Sequence, residues 1–202
     1  MTEFGQEFPD AGHVALGLDG SEGTLEVGDD LGLELTVDTV LTATELTLLP
    51  RPSGVDIRPL HTDQDWRQLV DLRLALPEGP PDPKMAEFAE AKAAETRAIV
   101  EAGHGSWFGA FVDGEIRCGA GLFSDGRGPA RFQSVETHPG FRRRGLASAL
   151  VAALGAWGLN HLDASRLVIV ADPDYHAIEM YRRLGFADVE HQVRLQRPPE
   201  MP

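Results

Sequence analysis

The spacing of apolar and polar residues divides the chain into a short β-rich segment and a longer mixed one. Residues 12–18 form an apolar run, and apolar and polar residues alternate over 33–38, so residues 1–50 predict mainly strands. Residues 40–49 either extend the second strand or pair back on it. Pro50, Pro52 and Gly54 then mark residues 51–54 as a linker between this segment and the main domain.

The main domain, residues 55–197, alternates between the two-residue period of strands and the spacing typical of helices. This order predicts an α/β fold with a mixed, mostly antiparallel central sheet flanked by helices, and a β-rich N-terminal extension. A proline-rich loop at 77–83 separates the first two helices, and residues 198–202 form a loose tail. Predicted strands lie at 55–59, 107–112, 115–123, 131–137, 166–171 and 186–195; predicted helices lie at 63–74, 85–101, 172–185 and from 146 onward.

A weak internal similarity connects the two ends of the chain. Residues 13–20 followed by 31–33 resemble residues 167–174 followed by 184–186, with a shorter connection between the two parts. Two explanations stay open: chance among common α/β patterns, or a partial second copy of the fold in residues 1–50.

Composition and net charge indicate which classes of binding partner the protein disfavours. The chain has 202 residues and a formal net charge of -14, and residues 1–56 hold twelve acidic side chains against the single basic Arg51. A surface this acidic disfavours nucleic acid and anionic membranes as partners. The sequence contains no apolar run of membrane-spanning length, and residues 1–10 are unlike a signal peptide, so we expect a cytoplasmic protein.

Cysteine and histidine usage predicts neither a disulfide nor a metal site. Cys118 is the only cysteine and lies in a predicted strand, where a buried, unreactive thiol is the default expectation. The histidines are scattered rather than clustered at the spacing of metal ligands.

The most informative stretch runs from Ser134 to Ser148, where a strand passes into a helix through a basic turn. Pro139 ends the strand, three arginines occupy 142–144, and Gly145 precedes a helix with a continuous apolar stripe. A helix N-terminus offers unpaired N–H groups and a positive dipole, and arginine side chains grip phosphate oxygens. The turn therefore predicts a phosphate site, such as one for a pyrophosphate.

These residues resemble the GNAT superfamily of acyl-CoA-dependent N-acetyltransferases. The family's phosphate motif, Gln or Arg, two residues, Gly, one residue, then Gly or Ala, is matched by residues 142–147, and residues 174–186 are similar to its second signature. The resemblance spans roughly residues 55–197. It implies acetyl-CoA as the co-substrate and no metal.

The resemblance also implies roles for individual residues. Backbone groups of Val135 to Thr137 would bind the pantetheine arm, and Tyr181 would be the general acid that protonates the departing thiolate. Asp174 stands where many members have Asn, so it either contacts the cofactor or caps its helix, and we favour the cap. The implied cofactor-binding set is Val135, Thr137, Arg142, Arg143, Arg144, Gly145, Leu146, Ala147 and Asp174.

The residue that deprotonates the amine is less well specified. Gln133, Glu136 and His138 lie along one strand, and we choose Glu136 as the general base because a carboxylate can accept the proton. A water chain ending on a carboxylate is the alternative.

The expected function is transfer of an acetyl group from acetyl-CoA to a primary amine by direct attack through a tetrahedral intermediate. The alternative is a non-catalytic acyl-CoA-binding or regulatory module on the same fold. The acceptor is a small-molecule amine or a peptide N-terminus, nucleic acid and membranes are not expected as partners, and a homodimer stays open.

Overall fold

The computed structural model describes residues 6–7, 14–18, 32–77, 79 and 83–197. The chain divides into two compact units: a larger one of residues 42–169 and 179–187, and a smaller one of residues 1–41, 170–178 and 188–202. Most of the proline-rich loop predicted at 77–83 and the tail at 198–202 fall outside the described residues.

The larger unit holds a mostly antiparallel sheet in the order β7-β6-β5-β4-β3. The β3–β4, β4–β5 and β5–β6 pairs are antiparallel, and β6–β7 is parallel. The mixed α/β layout is therefore confirmed. The strands are β3 (Val55–Pro59), β4 (Gly105–Val112), β5 (Glu115–Ser124), β6 (Pro129–Thr137) and β7 (Arg166–Ala171), the last of which continues into the smaller unit from residue 170.

Helices cover both faces of this sheet: α1 (Asp63–Leu74), α2 (Pro83–Glu101) and α3 (Leu146–His161). A Cβ placed on Gly119 of β5 would lie 3.4 Å from Leu69 of α1, whereas one on Gly158 of α3 would lie 2.2 Å from Leu122 of β5. Gly119 and Leu122 are three residues apart, so α1 and α3 pack on opposite faces. A side chain at residue 158 would require Leu122 to shift.

The core beneath α1 is aliphatic and aromatic. Its side chains come from α1, β4, β5 and the residue after β3, and each is almost fully removed from solvent, so burial of the apolar face of α1 stabilises the helix on the sheet. The cluster consists of Leu60, Trp66, Leu69, Leu72, Trp107, Phe111 and Ile116.

A polar network fixes the start of α1. The side chain of Thr62 accepts from the Asp65 N–H at 3.1 Å, and Asp65 in turn accepts from the N–H groups of His61 and Thr62. Arg58 donates to both Asp65 oxygens, at 2.7 and 3.0 Å. This capping box orients the helix that carries Arg73, a residue of the candidate site.

The smaller unit contains β1 (Val14–Gly17), most of β2 (Glu34–Ala43) and most of β8 (Ala187–Arg197), in the order β1-β8-β2. β1 pairs antiparallel with β8, from Val14 opposite Arg197 to Gly17 opposite Arg194. The expected strands in residues 1–50 are thus present, and β2 extends to Ala43 as one strand. The division at 51–54 and the repeat explanation stay predictions.

The last helix, α4 (Ala177–Arg183), begins later than the sequence suggested. Asp172, not Asp174, accepts a local backbone hydrogen bond, from the Asp174 N–H at 2.8 Å. The cap that we favoured for Asp174 is therefore wrong, because the helix starts three residues beyond it. None of the described helices is both long and apolar enough to cross a membrane.

Candidate active site

The candidate site is built around an irregularity in β6. Gly119 pairs with Glu136 and Gly121 with Gln133, so three steps along β6 match two steps along β5. The extra residue is a β-bulge, and Ser134 has a φ of 48° there. Because a bulge redirects the strand and its side chains, residues after Ser134 do not follow the regular sheet.

On its other side, β6 separates from β7. The described pairing between them covers only three positions and ends at Arg131 opposite Val168, while β6 continues to Thr137. Backbone groups of β6 beyond this point are therefore available to an extended ligand that adds to the strand edge. Val135 and Thr137, both predicted cofactor contacts, lie in this part and are half-buried.

The turn after β6 has the geometry expected of an anion site. Pro139–Phe141 forms one turn of 3₁₀-helix, and Gly145 precedes α3 with a φ of 78°, a left-handed conformation that favours glycine. No side chain caps the N-terminus of α3, so its first N–H groups have no side-chain partner there. Arg142, Arg143 and Arg144 are exposed beside it, whereas Leu146 is buried and Ala147 half-buried.

A phenylalanine supports the arginines of this turn. The guanidinium carbon of Arg144 lies 4.8 Å from the centre of the Phe141 ring, and that of Arg117 in β5 lies 4.6 Å from the same ring. Arg142 donates from Nε to the carbonyl of Thr137 at 3.4 Å. Sequence reasoning missed Arg117, although an arginine within an apolar strand is a signal that could have been used.

Glu136 forms an ion pair with Arg73 of α1. Arg73 Nε lies 3.3 Å from Glu136 Oε2, and the two side chains are 11% and 18% exposed. Burial raises the pKa of the Glu136 carboxyl, and the positive charge and hydrogen bond of Arg73 partly offset this. A partly buried carboxylate with a raised pKa is suited to accept a proton near neutral pH.

His138 has a local structural role at the end of β6. Its backbone N–H donates to the Arg117 carbonyl at 2.9 Å, and its Nδ1 accepts from the Gly140 N–H at 3.1 Å. Neutral His138 therefore carries its proton on Nε2. The side chain also borders a cavity of about 280 Å³ between α1 and the start of β5, lined by Gln68, Asp71, Leu72, Ala75, Glu115, Ile116, Arg117 and His138.

Tyr181 is buried, at 6% exposure. Its ring meets Phe186 edge-on at 6.2 Å, and Phe186 meets Phe132 of β6 in the same way at 6.0 Å. These contacts link Tyr181 to β6 two residues before the bulge. Asp174 belongs to the smaller unit and is exposed.

Cys118 packs under the strand that carries the site. Its Sγ lies 3.2 Å from Thr137 Oγ1, and burial raises the pKa of the thiol to about 12. The expectation of a buried, free thiol is confirmed. Among the described residues, no group of three or more His, Cys, Asp or Glu side chains could hold a metal ion.

The unpaired edge of β6 offers backbone groups to an extended ligand, and the helix N-terminus after Gly145 offers N–H groups to a phosphate. The sequence model of the Acetyltransferase (GNAT) family matches residues 66–186. This match covers more than half of the chain, so the chain belongs to the GNAT acetyltransferase family, whose members in general use acyl-CoA. None of the curated proteins compared with the chain matches it significantly.

Solved structures share the fold at low identity. A GCN5-related N-acetyltransferase from Kribbella flavida is 18% identical with a TM-score of 0.60, and the alignment covers 84% of this chain and 62% of that one. A GNAT-family protein from Novosphingobium aromaticivorans is 18% identical with a TM-score of 0.64, covering 98% and 81%. A tandem GNAT protein from the clavulanic acid biosynthesis pathway is 14% identical with a TM-score of 0.65, covering 94% and 65%. At these identities the similarity establishes the fold.

Proposed function

We propose that this protein is an acetyl-CoA-dependent N-acetyltransferase that acetylates a primary amine by direct attack. The observation that carries the proposal is the Glu136 carboxylate, buried beside the bulge in β6 where the strand leaves its parallel neighbour. In that position a carboxylate lies next to the strand edge proposed for the pantetheine arm. It can take a proton without becoming a nucleophile, so no covalent enzyme intermediate is needed.

The residues around α3 fit the proposed co-substrate. The left-handed Gly145, the uncapped N-terminus of α3 and the exposed arginines offer donors and positive charge to a pyrophosphate. The unpaired part of β6, including Val135 and Thr137, offers backbone groups to amides of the pantetheine arm. These two features occur consecutively, as an extended ligand with a phosphate at one end requires.

The chemistry assigns one proton transfer to each of two side chains. Glu136 accepts a proton from the incoming ammonium, and the amine nitrogen then forms a bond to the acetyl carbonyl carbon, giving a tetrahedral intermediate. A strand N–H near Thr137 donates to the developing oxyanion. The carbon–sulfur bond breaks, and Tyr181 donates a proton to the sulfur. The nitrogen releases its second proton to solvent, and the Tyr181 phenolate takes a proton back from solvent. Acetylated amine and free coenzyme A thiol are the products.

The proposal is tested by thiol release from acetyl-CoA across a panel of small amines and peptide N-termini. We expect release with at least one acceptor, and a loss of about 100-fold or more in kcat/KM in Glu136→Gln. Tyr181→Phe should lower kcat with little change in the KM for acetyl-CoA. Unchanged kcat/KM in both variants would contradict the assigned roles.

Calorimetric titration with acetyl-CoA tests the binding site separately. Gly145→Glu should abolish binding because it forces a side chain into a left-handed position and adds negative charge beside the helix N-terminus. Ser148→Ala, which removes only a local hydrogen bond to the Gly145 carbonyl, is the matched control and should bind normally. Binding that persists in Gly145→Glu would move the cofactor site elsewhere; binding without turnover of any amine would favour the regulatory module.

A further inference from the structure

The ion pair between Arg73 and Glu136 is more constrained than a surface salt bridge. Both side chains are largely buried, and the Arg73 guanidinium carbon lies 4.9 Å from the centre of the Trp107 ring, itself 2% exposed. The guanidinium is thus held between an aromatic face and the carboxylate. Its position is fixed by packing as well as by charge.

Stability alone does not account for this arginine. Its Nη1 is buried and, among the described residues, has no hydrogen-bond partner. Burying an unpaired donor is unfavourable, and buried ion pairs can often be replaced by apolar side chains without loss of stability. An arginine kept at this cost, in contact with the predicted base, points to a functional role.

We propose that Arg73 is the positioning residue for Glu136: it orients the carboxylate and keeps it ionised, ready to accept the proton of the amine. The inference rests on the proposed function, because it assigns Arg73 a role through the base. Arg73 itself is not placed in contact with the reacting atoms.

The surroundings of Glu136 single out Arg73 as its charged neighbour. In the larger unit, α1 contributes Arg73, β4 contributes the uncharged Trp107, and β5 contributes Gly119 directly opposite and the neutral thiol of Cys118. Burial raises the pKa of Glu136, and Arg73 is the group that lowers it. Removing Arg73 leaves burial unopposed, so a larger share of Glu136 is protonated at neutral pH.

The first measurement is the pH dependence of kcat/KM in Arg73→Met, which keeps a long side chain over Trp107 and removes the charge. The acid limb of the profile should move about 1–3 pH units upward, with activity recovering at high pH. In Arg73→Lys, which restores the positive charge, the acid limb should lie close to its wild-type pH. The affinity for acetyl-CoA should not change in either variant.

The second measurement does not depend on activity. With its pKa raised further in Arg73→Met, Glu136 favours the folded state when protonated, so its contribution to stability should be fully present below about pH 4.3 and be lost as the pH rises through the raised value. The midpoint of urea unfolding, compared with wild type at each pH, reports this loss. This pH-dependent loss of stability should disappear when Arg73→Met is combined with Glu136→Gln.

The possible outcomes separate the positioning role of Arg73 from the assignment of Glu136 as the base. An equal loss of activity at every pH, with an equal loss of stability at every pH, would overturn the positioning role in favour of a merely structural one. Full activity in Glu136→Gln would instead overturn the base assignment, and with it the catalytic meaning of the pair. In that case the pH-dependent loss of stability in Arg73→Met would still identify the ion pair.

Discussion

At the scale of single residues, the site depends on how burial changes the chemistry of two neighbouring side chains. Glu136 lies in β6 and Cys118 lies in the neighbouring strand β5, and burial raises the pKa of both side chains. Only Glu136 has a cation to oppose the effect, since Arg73 pairs with it, whereas the thiol has the neutral hydroxyl of Thr137. The carboxyl therefore has a positive charge that opposes the effect of burial on its pKa, and the thiol has none.

The inertness of Cys118 gives a direct prediction. With a pKa near 12 and no solvent exposure, the thiol has almost no reactive thiolate at pH 8. Iodoacetamide should label the denatured protein at one position and leave the native protein unlabelled, as measured by intact mass. Fast labelling of the native protein would show that the strand pair around Cys118 opens.

The capping residue Asp65 gives a second prediction at this scale. It is 3% exposed, and the hydrogen bonds from Arg58 and from the backbone N–H groups of Thr62 and His61 hold the pKa of its carboxyl well below the usual range. Asp65→Asn should lower the free energy of unfolding at pH 7 by about 1–3 kcal/mol.

The sign of the pH dependence follows from the lowered pKa of Asp65. A carboxyl with a depressed pKa in the folded state stabilises the protein above its unfolded value of about 4, and this contribution is lost as the pH falls further. The difference between wild type and Asp65→Asn in urea unfolding should therefore shrink below pH 4. The exposed Asp63→Asn, on the same helix turn, is the control and should change stability much less.

At the scale of helices and strands, the sequence predicted an element correctly where the residues that specify it lie within a few positions of one another. β3 and α1 lie where the spacing of apolar residues predicted them, and the Asp113-Gly114 turn joins β4 to β5 as a hairpin should. The start of α4, by contrast, was predicted too early. The sequence predicted a helix from residue 172 with Asp174 as its cap, but Asp172 accepts the Asp174 N–H in a local turn and the helix begins only at Ala177.

The bulge in β6 could not be predicted from the same signals. Residues 131–137 read as a regular strand, and nothing in that pattern reveals that Ser134 has a positive φ. A bulge is a property of two strands, since it exists only as a mismatch between β5 and β6. The direction in which Glu136 points was therefore open until the strands were paired.

At the scale of the whole molecule, the first and last strands belong to the same compact unit. β1 pairs with β8, and Arg194 of β8 donates from Nη2 to the buried Asp38 of β2 at 2.5 Å. The acidic N-terminal segment thus contributes strands to a sheet as well as charge.

The Asp38–Arg194 contact predicts how this unit responds to substitution. Asp38→Ala removes the acceptor of a buried hydrogen bond and should lower the stability of the unit by about 1–3 kcal/mol. Limited proteolysis should then cleave β2 or β8 faster than in wild type. Glu34→Ala, at an exposed position of the same strand, is the control; equal cleavage rates in both variants would contradict a stabilising role for the pair.

The amino-acid sequence by itself determined the class of fold, the order of its elements and the basic turn before α3, because hydrophobic periodicity and turn residues act over short distances. Only the tertiary structure decided the environment of Glu136. Arg73 and Glu136 are 63 residues apart, and no local pattern connects them. Their pairing depends on α1 packing across β5 onto β6, and the burial that this packing produces is what changes the chemistry of the carboxylate.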